Sequence, residues 1–296
     1  METPEQLLRS IEGLDDLRSI VKTMKSLSAV SIRQYESALD ALGDYYRTVE
    51  LGLRVVLDRA RTPAGGSPER AGAGGVVLSS DHGLCGRFNE DVAEYVIQRL
   101  PELPGTARDR RLLAVGARAA ALLEHEGLVP DPVLWTPGSA AGIATTVRQV
   151  LETVEGWQGE HDVGVVRLFH NRPDAGGGYR PVEVQLLPPD LQGLQGAGER
   201  RWPSRRLPCF TMERGRLLSA LLRQYFFVTL FRACAESLAA EHASRLAAMQ
   251  SAERNLDERL EAVAARYRRA RQDAITAELL DVVAGFEAIT SGSGGQ

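Results

Sequence analysis

The chain has few of the residues that build disulfide frameworks, metal centres or membrane spans. Its three cysteines, Cys85, Cys209 and Cys234, are odd in number, far apart and form no CxxC pair, which argues against a disulfide framework and a zinc site. This usage favours a reducing compartment. No stretch reaches 18 apolar residues, and the METPEQLL start lacks a basic segment followed by an apolar run. The sequence therefore predicts no direct membrane insertion.

Lysine is almost absent as well. Lys22 and Lys25, within one helical turn, are the only two lysines in 296 residues, and arginine supplies the other cations. The net charge of −4 predicts no nucleic-acid partner, since such partners usually require a basic excess. An apolar fraction of 44% and a charged fraction of 25% are typical of a soluble globular chain with one or two domains.

The C-terminal segment 245–290 contains no proline and almost no glycine, and it therefore predicts one uninterrupted helix. Apolar and small residues recur at alternating steps of three and four, a period typical of a coiled-coil seam. The seam positions are Met249, Leu256, Leu260, Val263, Tyr267, Ala270, Ala274 and Ala277. The seam narrows to alanine beside an arginine-rich face. This pattern predicts a slim helical rod that inserts into another protein.

The N-terminal segment offers a partner helix for this seam. Residues 5–60 contain no proline, and their apolar residues follow helical spacing. These positions are Ile11, Leu14, Leu17, Ile20 or Val21, Met24 and Leu27, followed by Leu42, Tyr45, Val49, Leu53 and Val56. We expect the two segments to pair as a long antiparallel coiled coil. Roughly 75 residues from about Arg214 onward would reach on the order of 110 Å.

Between these segments the chain alternates strands and helices. Residues 61–75 form a Gly/Pro linker, and short continuous apolar runs then alternate with helical segments over residues 76–190. Continuous apolar strands are typical of a mostly parallel sheet covered on both faces. The predicted fold class is α/β: a small Rossmann-like domain, 76–190, is inserted between helices 1–60 and 213–290 of a coiled coil. Residues 191–212 are predicted to form a loop, and 291–296 a disordered tail.

The segment 79–86, SSDHGLCG, follows the first predicted strand, where a glycine turn can cradle phosphate. It has neither the G-x-G-x-x-G arrangement nor G-x-x-x-x-G-K-[ST]. Asp81, His82 and Cys85 suggest a nucleophile site, but no recognisable motif places a second histidine or carboxylate beside them. The sequence therefore predicts no catalytic residue, no metal and no cofactor, and Cys85 is expected to be a small buried residue.

Several segments resemble signatures of the γ subunit of F-type ATP synthases. Residues 78–89, LSSDHGLCGRFN, are similar to a pattern usually written SDRGLCGGFN, and residues 20–32, IVKTMKSLSAVSI, are similar to ITKAMKMVSAAKL. Residues 241–252 and 266–280 resemble the C-terminal signature. His82 and Arg87 depart from the first pattern, where arginine and glycine are usual. These departures favour a divergent branch, such as the rotor of an alternative or ion-specialised ATPase.

The resemblance implies a non-catalytic central-stalk rotor that couples rotation of a membrane c-ring to nucleotide exchange in an α3β3 head. It implies that Arg271, Gln272 and Thr276 match an RQxxIT contact to a loop of one β subunit. Gln272 and Thr276 are four residues apart, so they share one helix face. The alternative is an ordinary solvated helix face.

The resemblance implies further head contacts in two other segments. Lys22, Met24 and Lys25 would lie near an acidic loop of a β subunit, although Met24 is also explained as a seam residue. Arg245 matches another position near that region, and its alternative is an intrahelical pair with Glu241.

Residues 208–216, PCFTMERGR, occupy the place of a loop that rests on the c-ring in relatives. The resemblance implies that Phe210, Met212 and Glu213 contact the c-ring and the ε subunit, and the alternative is a core-packed turn. It also implies a peripheral location on the cytoplasmic face of the bacterial plasma membrane, within the F1 sector.

Two other function classes make different predictions. An α/β nucleotide-binding enzyme with helical extensions predicts a catalytic constellation in the middle domain, and the sequence shows none. A static coiled-coil adaptor predicts a seam that stays bulky to its tip, whereas this seam narrows to alanine.

Overall fold

A computed structural model describes residues 3–58, 72–106, 108–174, 176–190 and 208–292. Two compact units make up the chain: a helical unit, Met1–Leu27 with Ala248–Gln296, and a sheet unit, Ser28–Ala247. Helix α1 (Pro4–Asp58) and the C-terminal helix (Arg214–Gly292) each contribute residues to both units. Most of the predicted linker (61–71), most of the predicted loop (191–207) and the last residues of the predicted tail (293–296) lie outside the described residues.

In the helical unit, α1 and the C-terminal helix pair in antiparallel orientation, as the sequence predicts. Arg18 Nε lies 2.7 Å from Asp257 Oδ1, and Lys25 Nζ donates to Glu253 Oε2 at 2.5 Å. The residue numbers therefore increase along α1 while those of their partners on the C-terminal helix decrease, which is the mark of antiparallel pairing. These ion pairs are partly exposed, so each contributes on the order of 1 kcal/mol or less, and their main effect is to fix the register.

The seam on α1 differs from the predicted one. Leu17 and Leu27, predicted as seam positions, are 52% and 63% exposed, and of the two alternatives Ile20 and Val21 it is Val21 that lies in the seam, since Ile20 is 56% exposed. The buried and half-buried positions that repeat every three or four residues are Leu7, Ile11, Leu14, Arg18, Val21 and Lys25. The prediction was wrong at these places because it admitted only apolar residues, whereas Arg18 and Lys25 enter the seam by pairing with carboxylates of the opposite helix.

The seam on the C-terminal helix ends earlier than predicted. Its half-buried positions run from Leu256 to Ala270, but Ala274 and Ala277 are exposed. From Arg271 to Gly285 every residue is exposed, so the described part of α1 covers none of them within this unit. We call residues 271–285 the tip.

The sheet unit contains a five-stranded sheet in the order β3-β2-β1-β4-β5. The strands are β1 (Gly72–Leu78), β2 (Arg110–Val115), β3 (Val133–Leu134), β4 (Val163–Pro173) and β5 (Tyr179–Leu187). β1 pairs in parallel with β2 and β4, β2 pairs in parallel with β3, and β5 closes the sheet antiparallel to β4. The predicted mostly parallel sheet is confirmed, and its strand order is that of a doubly wound fold.

Three helices connect the strands and cover both faces of the sheet. They are α2 (Phe88–Arg99), α3 (Ala117–His125) and α4 (Ile143–Glu160). α2 and α3 share one apolar core with the sheet through residues such as Val96 and Leu123. α4 packs on the opposite face, where Trp157 joins a core that also includes Tyr35 of α1 and Leu230 of the C-terminal helix, here named α5.

Two element boundaries differ from the sequence prediction. β1 begins at Gly72, inside the predicted linker, and Gly74 lies under the Trp157 ring. A Cβ built on Gly74 would lie 2.7 Å from Trp157 Cε3, so Gly74, predicted as linker, is a strand residue that makes room for an aromatic ring. α4 begins at Ile143, after a 3-10 turn at Ala140–Gly142, rather than at Ser139.

Within the described part of α5, one 18-residue window has a mean hydropathy of 1.2 and is 22% buried. By length and composition alone this helix could cross a membrane. That is weak evidence for a membrane span, because core helices of soluble proteins have the same length and composition. Val228 and Leu230 of this apolar stretch are fully buried.

Candidate functional site

The tip presents both of the polar residues that the sequence analysis placed on one helix face. Gln272 and Thr276 are exposed, and the Thr276 hydroxyl donates to the Gln272 carbonyl oxygen at 2.9 Å within the helix. Arg271 is exposed beside them. The carboxamide of Gln272 and the lone pairs of the Thr276 hydroxyl therefore face solvent together, where one loop of another protein can reach both.

The same tip exposes an unusual amount of apolar surface. The exposed fractions are 48% for Ile275, 61% for Leu279, 64% for Leu280, 71% for Val282 and 53% for Val283. Single exposed apolar residues are common on protein surfaces, but a cluster of large ones marks an interaction surface. Sequence reasoning missed this cluster because it expected the seam to be paired as far as Ala277.

The structure separates the three predicted contact residues of α1. Met24 is half-buried in the helix pair, and Lys25 is committed to Glu253. Lys22 is exposed. The hydrogen bond from Lys25, assisted by the charges of Lys25 and Lys22, lowers the pKa of the Glu253 carboxyl. Of this turn, Lys22 has the side chain most available to a partner.

Arg245 is buried rather than presented to a partner. Its side chain is 8% exposed, and Nη2 donates to Glu241 Oε1 at 2.7 Å, which is the intrahelical alternative recognised from the sequence. The same nitrogen lies 3.5 Å from the carbonyl oxygens of His82 and Gly83. Arg245 therefore joins α5 to the glycine turn after β1, and the contact to a partner implied for it is not supported by this geometry.

His242 lies beside this pair in a setting that disfavours its charged form. Its ring stacks on Tyr35, with centroids 5.7 Å apart and an interplanar angle of 16°, and its Nδ1 lies 3.4 Å from Arg245 Nη1. Burial, together with the charge of Arg245, lowers the pKa of His242 to about 4. Burial raises the pKa of Glu241, against the opposing effect of Arg245.

We expect the stability of the isolated chain to fall as the pH drops from about 6.5 to about 4. A folded-state pKa below the unfolded value gives stability that is present above the unfolded pKa and lost as the pH falls. The His242 share should be on the order of 1 kcal/mol, because the ring is partly exposed. Denaturant unfolding across this pH range should show a smaller decrease for His242→Gln, whereas the same substitution at the exposed His125 should leave it unchanged. Equal decreases in both variants would contradict the assignment.

In the glycine turn 79–86, Asp81 and Cys85 have structural roles, whereas the His82 side chain is exposed. Asp81 accepts hydrogen bonds from the Ala117 and Thr136 backbone N–H groups at 3.1 and 2.8 Å and from the Thr136 hydroxyl. Cys85 is 1% exposed, and burial raises the pKa of its thiol. A neutral buried thiol is a poor nucleophile. Among the described residues, no group of three or more His, Cys, Asp and Glu side chains is placed to hold a metal ion.

The predicted foot residues lie at the start of α5. The Glu213 carboxylate accepts the Gly215 and Arg216 backbone N–H groups at 2.7 and 2.9 Å, so it caps the helix N-terminus, and these bonds lower its pKa. Met212 is 53% exposed, and Phe210 is half-buried. Glu213 thus has a local structural role, while Met212 offers apolar surface.

The fold and the sequence signatures both have counterparts in known proteins. A family model described as ATP synthase matches residues 3–289. The ATP synthase gamma chain of Salinibacter ruber is 31% identical over 302 residues, covering 94% of this chain and 96% of the relative. The gamma chain of a Sulfurihydrogenibium species is 27% identical over 300 residues, covering 97% and 98%.

The chain belongs to the ATP synthase gamma-chain family. Solved structures agree on the fold: a rotor structure of the Euglena gracilis mitochondrial ATP synthase superposes with a TM-score of 0.63 at 15% identity, covering 92% of this chain and 98% of that one. A chain of the same organism's OSCP/F1/c-ring assembly gives 0.65 at 16% identity, covering 98% and 95%. As a gamma chain, the protein is a central-stalk subunit of an ATP synthase, in the F1 sector peripheral to the membrane.

Proposed function

We propose that this gamma chain acts as a non-catalytic rotor whose tip turns inside an α3β3 head and contacts a β-subunit loop through Arg271, Gln272 and Thr276. The observation that carries the proposal is the unpaired tip, which is exposed on every side from Arg271 to Gly285. Lys22 on α1 is a second candidate contact for an acidic loop of the head.

The physical state of the tip supports an enclosing partner. Isolated helices shorter than about 12–15 residues are marginal in water, because helices in proteins are stabilised chiefly by packing. The tip has no packing within its unit, and it exposes Ile275, Leu279 and Val282. A surrounding apolar sleeve would shield these side chains and stabilise the helix. As the tip rotates, Gln272 and Thr276 would contact the loop of one β subunit at a time.

We further propose that the foot, Phe210 and Met212 with the capping residue Glu213, lies against the c-ring and the ε subunit. The complex would then sit on the cytoplasmic face of a bacterial plasma membrane. The 53% exposed Met212 side chain supports an apolar contact, because it extends from a capped helix start into solvent. Membership in an alternative or ion-specialised ATPase stays a prediction from His82 and Arg87.

The isolated chain is expected neither to bind nor to hydrolyse ATP. Both Asp81 oxygens accept hydrogen bonds, and Cys85 is buried and neutral, so neither of these two groups is free to act on ATP. Isothermal titration with Mg-ATP at sub-millimolar concentration is the measurement. Saturable binding that is lost on substitution of Asp81 would contradict the non-catalytic assignment.

Co-purification tests the proposed function as a whole. The full chain, tagged at its N-terminus and expressed in its own host, is expected to bring down α and β subunits in equal amounts, with ε and the c subunit in membrane extracts. Recovery without α and β subunits would overturn the rotor proposal and favour the static-adaptor alternative.

A further inference from the structure

Helix α5 passes through the sheet unit with no exposed face over residues 233–241. A helix buried on all sides normally carries large apolar side chains. Here the segment is ACAESLAAE, in which Leu238 is the one large apolar residue, while Ala233, Ala239 and Ala240 are among its small buried residues. Small side chains allow close approach, but they interdigitate little, and apolar attraction is non-directional. Such a surface resists separation of helix and sheet better than it resists turning of one against the other.

One carboxylate in this segment holds the helix to the sheet in a directional way. Glu236, whose side chain is 8% exposed, receives His170 Nε2 at 2.9 Å and Arg172 Nε at 2.8 Å, both from β4. Its other oxygen receives Arg232 Nε at 2.8 Å from one turn earlier on α5. Glu236 is therefore the centre of a three-donor hub between helix and sheet.

The charge states in the hub are well defined. Burial lowers the pKa of His170, so its neutral ring donates through Nε2. Burial of Glu236 acts to raise the pKa of its carboxyl, but the hydrogen bonds from His170 and Arg172, together with the charge of Arg172, outweigh it and lower the pKa to about 2. The carboxylate is ionised under all physiological conditions, and it keeps its three donors.

A second directional contact lies two turns further along the same face. Ser244 Oγ donates to the Cys85 carbonyl oxygen at 2.5 Å, and Ala240 between the two contacts packs against Cys85 and Phe88. Positions 236, 240 and 244 follow four-residue spacing, so they form one row along α5. The row begins at β4 and ends at the glycine turn after β1.

We propose that Glu236 and Ser244 form a rotational lock, which holds α5 in fixed orientation to the sheet so that torque passes between them. The inference rests on the proposed function, in which the chain turns as one body, and it requires that the sheet unit shares the c-ring and ε-subunit contact with the foot. Buried, hydrogen-bonded charges resist displacement because any movement leaves them unpaired in a medium of low dielectric constant. Glu236 and Ser244 are positioning residues: they touch no substrate, and they act by keeping helix and sheet in register under load.

The test uses complete ATP synthase complexes assembled with the full chain and reconstituted in vesicles. Two variants remove directional contacts: Glu236→Gln, which keeps the volume but presents an amide nitrogen to a donor, and Ser244→Ala, which removes one hydrogen bond. Leu238→Ala is the matched control, because Leu238 is buried in the same stretch of α5 but makes only apolar contacts. For each complex, the thermal midpoint, the rate of ATP hydrolysis and the rate of ATP-driven ion transport are measured.

We expect the ratio of transport to hydrolysis to fall about twofold or more in Glu236→Gln, and less in Ser244→Ala, because hydrolysis continues while the helix slips under load. Leu238→Ala should lower the thermal midpoint and keep the wild-type ratio. An unchanged ratio in both lock variants, or an equal fall in Leu238→Ala, would overturn the lock. A wild-type complex that hydrolyses ATP without any coupled transport would instead overturn the proposed function, and the lock with it.

Discussion

Gly116→Ala is expected to destabilise the sheet unit by about 3 kcal/mol or more, because two separate costs add. Gly116 has φ +105°, a conformation that L side chains rarely adopt. A Cβ at this position would also lie 2.6 Å from the Ser79 carbonyl carbon and would collide with Ser79 Oγ. Ser79 is 4% exposed and donates to the Val115 and Gly116 carbonyl oxygens, so it has no free direction in which to move.

The matched control is Gly156→Ala within α4. Nothing lies within 4 Å of a Cβ built on Gly156, so alanine should stabilise the unit by roughly 0.5–1 kcal/mol through helix propensity. Guanidinium unfolding of the isolated chain compares the two variants. Gly116→Ala should lower the unfolding midpoint and Gly156→Ala should raise it. If both midpoints shift in the same direction, backbone strain and the clash with Ser79 do not explain the glycine at position 116.

The sequence predicted the sheet because each strand is a continuous apolar run between recognisable turns. Val76, Val77 and Leu78 are buried on both faces, and a short continuous apolar run between turns is typical of an interior parallel strand. The start of β1 was missed because glycine is ambiguous: the property that makes a linker flexible also lets Gly74 lie under Trp157. Resolving that ambiguity requires knowledge of which ring lies opposite.

The helix pairing was predicted in its direction but not in its details. Helical periodicity identifies an amphipathic face, yet Arg18 and Lys25 occupy that face only because Asp257 and Glu253 lie opposite, and this depends on register. The early end of the seam depends on which residues of α1 lie opposite α5. Both are long-range properties that spacing within one segment does not contain.

The candidate contact residues divide in the same way. Gln272 and Thr276 could be placed on one face because helix geometry alone decides it, and the structure finds both exposed. The role of Glu236 could not be found, since its donors on β4 are more than 60 residues away in sequence. A glutamate in an alanine-rich apolar stretch was the signal present in the sequence, because an ionised side chain among buried residues requires partners.

Gln272→Ala combined with Thr276→Ala is expected to reduce ATP synthesis and hydrolysis by about thirtyfold in complexes that still assemble normally. Each hydrogen bond to a β-subunit loop would contribute roughly 1 kcal/mol, and more if its partner is charged, so loss of two bonds at a rate-determining contact corresponds to about that factor. The helix itself should be unharmed, since both side chains are exposed and alanine is the better helix former at either position.

The control for the double variant is Glu278→Ala, an equally exposed substitution on another face of the same tip. Steady-state turnover, subunit stoichiometry and thermal midpoint are measured on purified complexes. Glu278→Ala should match the wild type in all three, and the double variant should differ in turnover alone. Wild-type turnover in the double variant would remove Gln272 and Thr276 from the mechanism. Rotation would then act on the head through the shape of the tip and through contacts of its apolar row, Ile275, Leu279 and Val282.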